Sequence, residues 1–524
     1  MQVITKLYRL CRRGRSVPLR FKSCCLRRGE ARELSNAGKI GYVTDIEGDR
    51  FFWANYLKIS KIFDVKFQDE QVVDVRLKPG CIFVMGGDVN DQMDGDIFVV
   101  EQLLQLKRRY PDRVHFILGN RDTNKLRLIQ ELSKFHMEKH DFHQYPGTFW
   151  TKLFFKHSPR ETLKQLGITA PASEHDSVER LKWILACTMG SADAFELRRL
   201  ELQRRLKRLT ITDYEVFCSF VDNLKPGGIF AEYLQAGSLA LILNDTLFVH
   251  GGLDDSCLGF SPDHPDFVET RLQTWVDGLN AFAKRDISRC IKYGSEDMNE
   301  NGDVWAMRGG YLDGSMWNIV QYGMGWLPNR DRNRTIVYRD WRGDKDLLAS
   351  LPSPSVIQTL MNNGINKIIT GHKPDGDAPL VLSNDRNNFH VIAADTSYSG
   401  DTKWLSRNSE SSDDPGKLMH SNTRRCASSK NQIDPKQRHL QRRGEAVSEI
   451  LIDRKTSNVL IHGRLSSGDK FEASVGETGD PLIGKNIEGN KFIKCERVKD
   501  KKLIVSHAVK WDVYNEVYDR NELY

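Results

Sequence analysis

No stretch of the 524-residue sequence approaches eighteen consecutive apolar residues, so nothing in it reads as a membrane-spanning helix. The longest apolar pieces, such as 238–243, are only strand-sized. The ten cysteines form no C-x-x-C pair, and Cys81, Cys187 and Cys218 lie in apolar runs where a small buried thiol fits, which favours a reducing compartment. Charge of one sign is scarcely in excess: 77 Lys+Arg stand against 70 Asp+Glu, a net +7. That is little for a chain of this length and gives no ground for nucleic acid as a partner. With 39% hydrophobic and 28% charged residues, the composition is that of a folded globular chain carrying some polar segments, long enough for a sizeable core.

The first 29 residues hold nine Lys/Arg and no acid before Glu30. Val3, Ile4, Leu7 and Cys11 at helical spacing beside Lys6, Arg9 and Arg13 resemble a transit peptide, but serine is sparse and Cys, Gly and Pro interrupt the pattern. Segment 1–38 therefore reads as a basic tail or a targeting segment, and the location as cytoplasmic, or mitochondrial if the segment is a transit peptide. The adjacent Cys24 and Cys25 are surface thiols or, less in keeping with the absence of an apolar anchor, lipidation sites.

From 39 to 400, short apolar runs alternate with helix-like segments. Runs 40–44, 81–85, 114–118, 246–249, 367–370 and 389–394 read as buried strands, and 97–110 and 356–361 as helices. Strand and helix in alternation predict an α/β layered sheet. Residues 159–235 interrupt the rhythm with a charged, helix-rich insertion whose charges, for example over 194–209, are expected on a solvated face. Between 401 and 444 there are ten Lys/Arg, five Asp/Glu, few aromatics and many Ser, Asn and Gln, the composition of a disordered linker. After it, 448–453 and 459–465 flank a turn-rich loop and predict a hairpin, so 445–524 is expected to complete or extend the core.

The polar residues with most chemical promise follow directly on these strands. Asp45 and Glu47 lie in V-T-D-I-E-G-D; Asp88 and Asp91 in M-G-G-D-V-N-D; Asn120 and Arg121 in L-G-N-R-D; His250 in V-H-G-G-L; His372 in I-T-G-H-K-P. In open α/β sheets the ligand crevice lies beyond the carboxyl ends of the strands, so these side chains are expected to converge. Glycines 48, 87, 119, 251 and 371 flank them and permit sharp turns. Each motif alone is weak, and a histidine at a strand end is more often a hydrogen-bonded one than a ligand. Five in one order are hard to attribute to chance.

The order D-x-[H], G-D-x-x-D, G-N-x-[DE], H-G-G, G-H resembles the calcineurin-like metallophosphoesterases, and V-H-G-G-L is most similar to their protein-phosphatase branch and its bacterial relatives. The resemblance covers 39–399 and extends to the strands after 444. It implies a layered β-sandwich flanked by helices and two divalent ions. Asp88 would bridge them, Asp45 would bind the first, and Asn120, His250 and His372 the second. A water between ions about 3.5–4 Å apart would attack phosphorus. The substrate would be a phosphoprotein or a small phosphate ester.

Three positions depart from that pattern. Glu47 replaces a histidine ligand of the first ion, which makes that site all-oxygen and favours Mn²⁺ or Mg²⁺ over Zn²⁺ or iron, or leaves it weak or empty. Arg121 replaces the histidine that protonates the leaving group with help from the aspartate here at Asp91, and an arginine cannot be a general acid. An Asp91–Arg121 ion pair, or an Arg121 hydrogen bond to phosphate, is the expected substitute. Gln92 replaces a phosphate-binding arginine, for which Arg308 in W-A-M-R-G-G is a candidate, as is a surface role for that residue. G-H-K-P lacks the second histidine of G-H-x-H, as does the protein-phosphatase branch. Trp305, Trp317, Trp326 and Trp341, with Arg330, Arg332 and Arg334, form a stretch that would stack on a base or, more commonly for such segments, pack in a core. Phosphate-ester hydrolysis is thus the leading function. Hydrolysis of a nucleoside polyphosphate or other phosphoanhydride and a catalytically weak binding scaffold are the alternatives.

Overall fold

The computed structural model describes residues 38–69, 71–139, 157–168, 177–295, 311, 314–325, 334–339, 341, 349–384, 388–397, 403–404, 444–488, 491–509 and 512–523. The basic tail, nearly all of the polar linker, Trp305, Arg308, Trp326, Arg330 and Arg332 lie outside them. In chain order the first ten strands are β1 (Lys39–Val43), β2 (Phe63–Gln68), β3 (Gln71–Leu77), β4 (Ile82–Met85), β5 (Val114–Phe116), β6 (Ala240–Leu243), β7 (Thr246–Val249), β8 (Lys367–Thr370), β9 (Leu380–Asn384) and β10 (Phe389–Ala393). The rest are β11 (Lys403–Trp404), β12 (Val447–Asp453), β13 (Val459–Arg464), β14 (Lys470–Val475), β15 (Asn486–Glu488), β16 (Lys491–Arg497), β17 (Leu503–Val509) and β18 (Asp512–Tyr518).

Two mixed sheets result. One runs β11-β18-β17-β16-β14-β13-β12-β1-β4-β5, with β15 on β16; the other runs β6-β7-β8-β10-β9, and β2 and β3 pair alone. Alternation along the strands sets which face meets which layer. Ile40, Tyr42, Ile82, Val84, Phe248, Ile369 and Ile392 point into a core shared by the two sheets, where the Tyr42 and Phe248 rings stack at 5.8 Å. Their neighbours Val43, Phe83, Met85, Leu247, Val249, Ile368 and Val391 point outward onto helices. Helix residues Trp53, Tyr56, Val99 and Leu103 belong to that outer core, as do Trp275, Leu279, Ile357 and Leu360. The architecture is an α/β layered β-sandwich flanked by helices, as the sequence leads one to expect.

Within it β1, β4 and β5 are mutually parallel, and so are β7, β8 and β10. Their carboxyl ends supply every strand-end motif. The C-terminal strands enter this framework through β12, which pairs antiparallel with β1 and with β13. Beneath that junction Glu449 is fully buried. It accepts hydrogen bonds from Tyr56 Oη (3.1 Å), Ser60 Oγ (2.5 Å) and the Lys61 amide (2.7 Å), and lies 2.9 Å from His462 Nε2.

Between 157 and 236 the elements among the described residues are all helical: Pro159–Gln165, Ser177–Trp183, a π-helical turn Ile184–Thr188, Ala194–Leu206, Asp213–Leu224 and Ile229–Ala236. The solvated face expected for 194–209 is only part of the picture, because Arg198 and Glu201 are buried. Glu201 accepts the amides of Ile97 and Phe98 at 3.1 and 2.8 Å, at the N-terminus of helix Asp96–Arg109. Arg198 binds Asp96 at 3.0 Å. A helix start carries unsatisfied N–H groups and partial positive charge, which repays burying a carboxylate there. Of the three cysteines placed in apolar runs, Cys81 and Cys187 are buried and Cys218 is half-buried.

Candidate metal centre

The loop after β1 turns sharply into helix Arg50–Ile59, whose start is capped by Asp49 Oδ1, accepting the amides of Phe51 and Phe52 at 2.8 and 2.9 Å. Backbone bonds from Asp45 N to Gly87 O (2.9 Å) and from Glu47 N to Asp88 O (3.0 Å) tie this loop to the one after β4. Asp45, Glu47, Asp88, Asp91 and His372 all have positive φ, at 53°, 50°, 51°, 107° and 73°. Such conformations are uncommon for residues with a side chain and persist where the surroundings over-determine them. Gly87, at φ 102°, has no alternative: a Cβ there would lie 2.7 Å from both the Gly119 amide nitrogen and His250 Nδ1. At Gly119 a Cβ would come within 2.1 Å of Asp88 Oδ1.

These turns bring the side chains together. One ligand atom from each of Asp88, His250 and His372 can be chosen so that all lie within 4.8 Å of one another. His250 Nε2 is 3.3 Å from Asp88 Oδ1 and 3.2 Å from Asn120 Oδ1, while its Nδ1 donates to Gly86 O at 2.8 Å. A second-sphere bond of that kind fixes the ring so that Nε2 faces the site. The residue His372 is partly exposed, yet its Nε2 is shielded from solvent and has no hydrogen-bond partner among the described residues. An orphaned imidazole nitrogen beside a carboxylate, an amide oxygen and a second imidazole is a donor set that fits a divalent transition ion.

Electrostatics points the same way. Burial raises Asp45 well above the usual carboxylate range, and Asp395 and Asp88 add to the effect. Asp45 Oδ2 accepts Thr44 Oγ1 at 2.6 Å and the His372 amide at 3.0 Å. Burial opposes charge on His250, but the carboxylates of Asp88 and Asp45 outweigh it and push the ring up to about 10. Burial, with Lys373, His250 and Arg121, drives His372 the other way, well below the ordinary imidazole value. Acids crowded out of water are costly unless a cation compensates them.

Arg121 supplies one such cation. Its Nε lies 2.8 Å from Glu47 Oε1 and 3.7 Å from Asp88 Oδ2, and its amide donates to Asp88 Oδ1 at 2.8 Å. The expected Asp91 contact is the longer one, Nη1 to Oδ2 at 4.0 Å. Asp91 is instead closely paired with the buried ammonium of Lys125, and its amide donates to Asp96 Oδ1 at 2.9 Å. The insertion reaches the same spot. Ser191 Oγ accepts from Arg121 Nη1 at 3.2 Å, Met189 Sδ lies 3.5 Å from Lys125 Nζ, and Gly190 O accepts from Gln92 Nε2 at 3.1 Å.

Three residues of the site lacked an assigned role in the sequence. Asp122, the last residue of L-G-N-R-D, is fully buried and accepts the amides of Gly119 (2.8 Å), Asp88 (3.0 Å) and Val89 (3.1 Å), clamping two loops together. Burial and the Asp88 charge raise it to about 7, against those hydrogen bonds. Asp395 follows β10 as the other site residues follow their strands, so the strand-end rule could have found it. Burial first, and the charge of Asp88, raise it to about 6 against the hydrogen bonds of Ser397 and the charge of His250. Lys125 had no such signal. Of the aromatic stretch, Trp317 and Trp341 are buried core residues, and Trp341 Nε1 donates to Thr370 Oγ1 at 3.0 Å.

No protein-family model and no curated protein matches the chain. Solved structures do. A cold-active protein-tyrosine phosphatase from a psychrophilic Shewanella species is similar over 84% of each chain, with 12% identity and a TM-score of 0.34. A point mutant of a cold-active protein tyrosine phosphatase gives 13% identity, 84% coverage of each chain and a TM-score of 0.35. A protein serine/threonine phosphatase from Saccharomyces cerevisiae is similar over 87% of this chain and 89% of its own, with 13% identity and a TM-score of 0.30.

Proposed function

We propose that this chain is a metal-dependent phosphoesterase that hydrolyses a phosphate ester. The observation that carries the reading is the convergence of Asp88, His250 and His372, with Asn120 beside His250, at the carboxyl ends of β4, β7, β8 and β5. Asp45, which touches the backbone of His372, is assigned to the same centre, as is Glu47 through Arg121, whose guanidinium faces both Glu47 and Asp88. A divalent ion bound there would polarise the phosphoryl group and acidify a water molecule. Mn²⁺ is proposed first, and Mg²⁺, iron or Zn²⁺ are alternatives the ligand set accepts.

The protein's own groups have separate tasks. Arg121 is assigned to the phosphate oxygens, since a guanidinium is always charged and offers a planar fork of donors. Asp91, held between Lys125 and the Asp96 carboxylate that its amide reaches, would keep Arg121 oriented. Arg308 is proposed as a second grip on substrate. The substrate class is a phosphoprotein or a small phosphate ester.

One observation favours a second reading. Arg121 occupies the motif place of a proton donor, and it is paired with Glu47. A site without a positioned acid suits leaving groups that depart as anions, which includes phosphoanhydrides as well as aryl esters. Release of phosphate from p-nitrophenyl phosphate, with and without Mn²⁺, beside an Asp88→Asn variant tests the main reading. Metal-stimulated turnover lost in the variant is expected. No turnover with any divalent ion would leave a binding scaffold.

A further inference from the structure

Two of the departures from the resembled pattern, Glu47 at the first ion's place and Arg121 at the proton donor's, touch each other. Arg121 Nε lies 2.8 Å from Glu47 Oε1, and the same guanidinium is 3.7 Å from Asp88 Oδ2 and 4.0 Å from Asp91 Oδ2. All three carboxylates are nearly inaccessible to solvent, with side chains 4%, 3% and 1% exposed, and Arg121 itself is 17% exposed. A permanent cation is thus fixed against Glu47 and Asp88, two of the acids that a first metal ion would need.

We infer that Arg121 takes the place of the first ion, so that the chain binds a single divalent ion, held by Asp88, Asn120, His250 and His372. The inference rests on the metal-site reading above. Its physical basis is competition for the same oxygens. A divalent ion drawing on Glu47 and Asp88 would have to displace the guanidinium, strand a charged arginine beside two metal ions, and break pairs made out of water, where like charges are poorly screened. Arginine does not escape by losing its proton. The main chain adds to the constraint: the Arg121 amide is bonded to Asp88 Oδ1 at 2.8 Å, which leaves the side chain a short reach from the same carboxylate. Ser191 Oγ, 3.2 Å from Nη1, holds the far end of the fork. A fixed guanidinium can also do one task of a metal ion, neutralising charge on a transferring phosphoryl group, though not the task of acidifying water.

Metal content of the full chain tests this. Protein saturated with Mn²⁺ and freed of excess by gel filtration is expected to carry one ion per chain by elemental analysis, and an Arg121→Ala variant two. Electron paramagnetic resonance of the wild-type protein is expected to show the six-line signal of isolated Mn²⁺, a measurement that does not depend on the variant folding. Two ions in the wild type, an exchange-coupled Mn²⁺ pair, or a folded Arg121→Ala chain that still takes one ion each overturn the inference while sparing the metal site. No bound ion in any of the proteins overturns the metal-site reading and this inference with it.

Discussion

The ammonium of Lys125 is buried against the carboxylate of Asp91, one helical turn beyond the arginine that Asp91 also faces. A buried pair is costly to break from one side, because the partner left behind keeps its desolvation penalty without compensation. Lys125→Met is therefore expected to destabilise the protein by about 3–5 kcal/mol. The double variant Lys125→Met/Asp91→Asn should regain part of that loss. Denaturant unfolding of the four proteins in this cycle measures the coupling. Strictly additive losses would show that the pair does not act as a unit.

The proposed replacement of a proton donor by Arg121 predicts a substrate preference. Without a positioned acid, a poor leaving group is slowed by roughly 10²–10⁴-fold. Turnover should therefore fall steeply from p-nitrophenyl phosphate to an alkyl phosphate, with a strong dependence of rate on leaving-group pKa. Equal rates on the two esters would rule out this account of Arg121.

Asp395 gives a prediction for the ion-free protein and for its response to the ion. Burial and the nearby Asp88 keep its pKa up at about 6, so near neutral pH it is held charged at a cost. Asp395→Asn removes that cost and can keep the bond from the Ser397 amide, now 2.8 Å long. The melting temperature in excess chelator should rise, by about 1 °C for each 1 kcal/mol relieved in a chain of 524 residues. The further rise on adding Mn²⁺ should shrink. A lower melting temperature in chelator would refute the argument.

Glu201 predicts a pH dependence. Burial lifts it to about 7, Arg198 opposing and Asp96 assisting. The folded state thus holds a proton that the unfolded chain has released between about 4.5 and 7. Stability from this residue falls as pH rises through that window, since the native state there binds more protons. Glu201→Gln should remove on the order of 1–3 kcal/mol of the difference in unfolding free energy between pH 5 and pH 8. The readout is the wild-type slope minus the variant slope. Identical slopes would show that Glu201 does not titrate in that range.

Much of the fold was legible because alternation and strand-end polarity are local signals. The runs at 246–249 and 367–370 match β7 and β8 residue for residue, and the other four strands that carry site residues differ by one or two at their ends. What was not legible depends on contacts distant in sequence. Arg198 and Glu201 look like surface charges until the N-terminus of Asp96–Arg109 is placed against them. Nothing in the spacing pairs Glu47 with Arg121 rather than Asp91 with Arg121. The hairpin β2–β3 and the separate strands β14 to β18 were not resolved one by one, although the alternation in Phe63–Gln68 and Lys470–Val475 is the signal of a strand with one wet face.

The pairing of β1 with β12 also sets a timetable. Residues 39–42 find their antiparallel neighbour about four hundred positions later, at 450–453. During synthesis the strand that presents Asp45 must wait with one edge open until nearly the whole chain has been made, and such an edge invites pairing with another chain. Contacts of this range slow folding, and the delay falls on the nascent polypeptide. A ribosome-bound chain ending near 444 should hence depend on chaperones, and the growing protein should become self-sufficient only once β12 and β13 emerge.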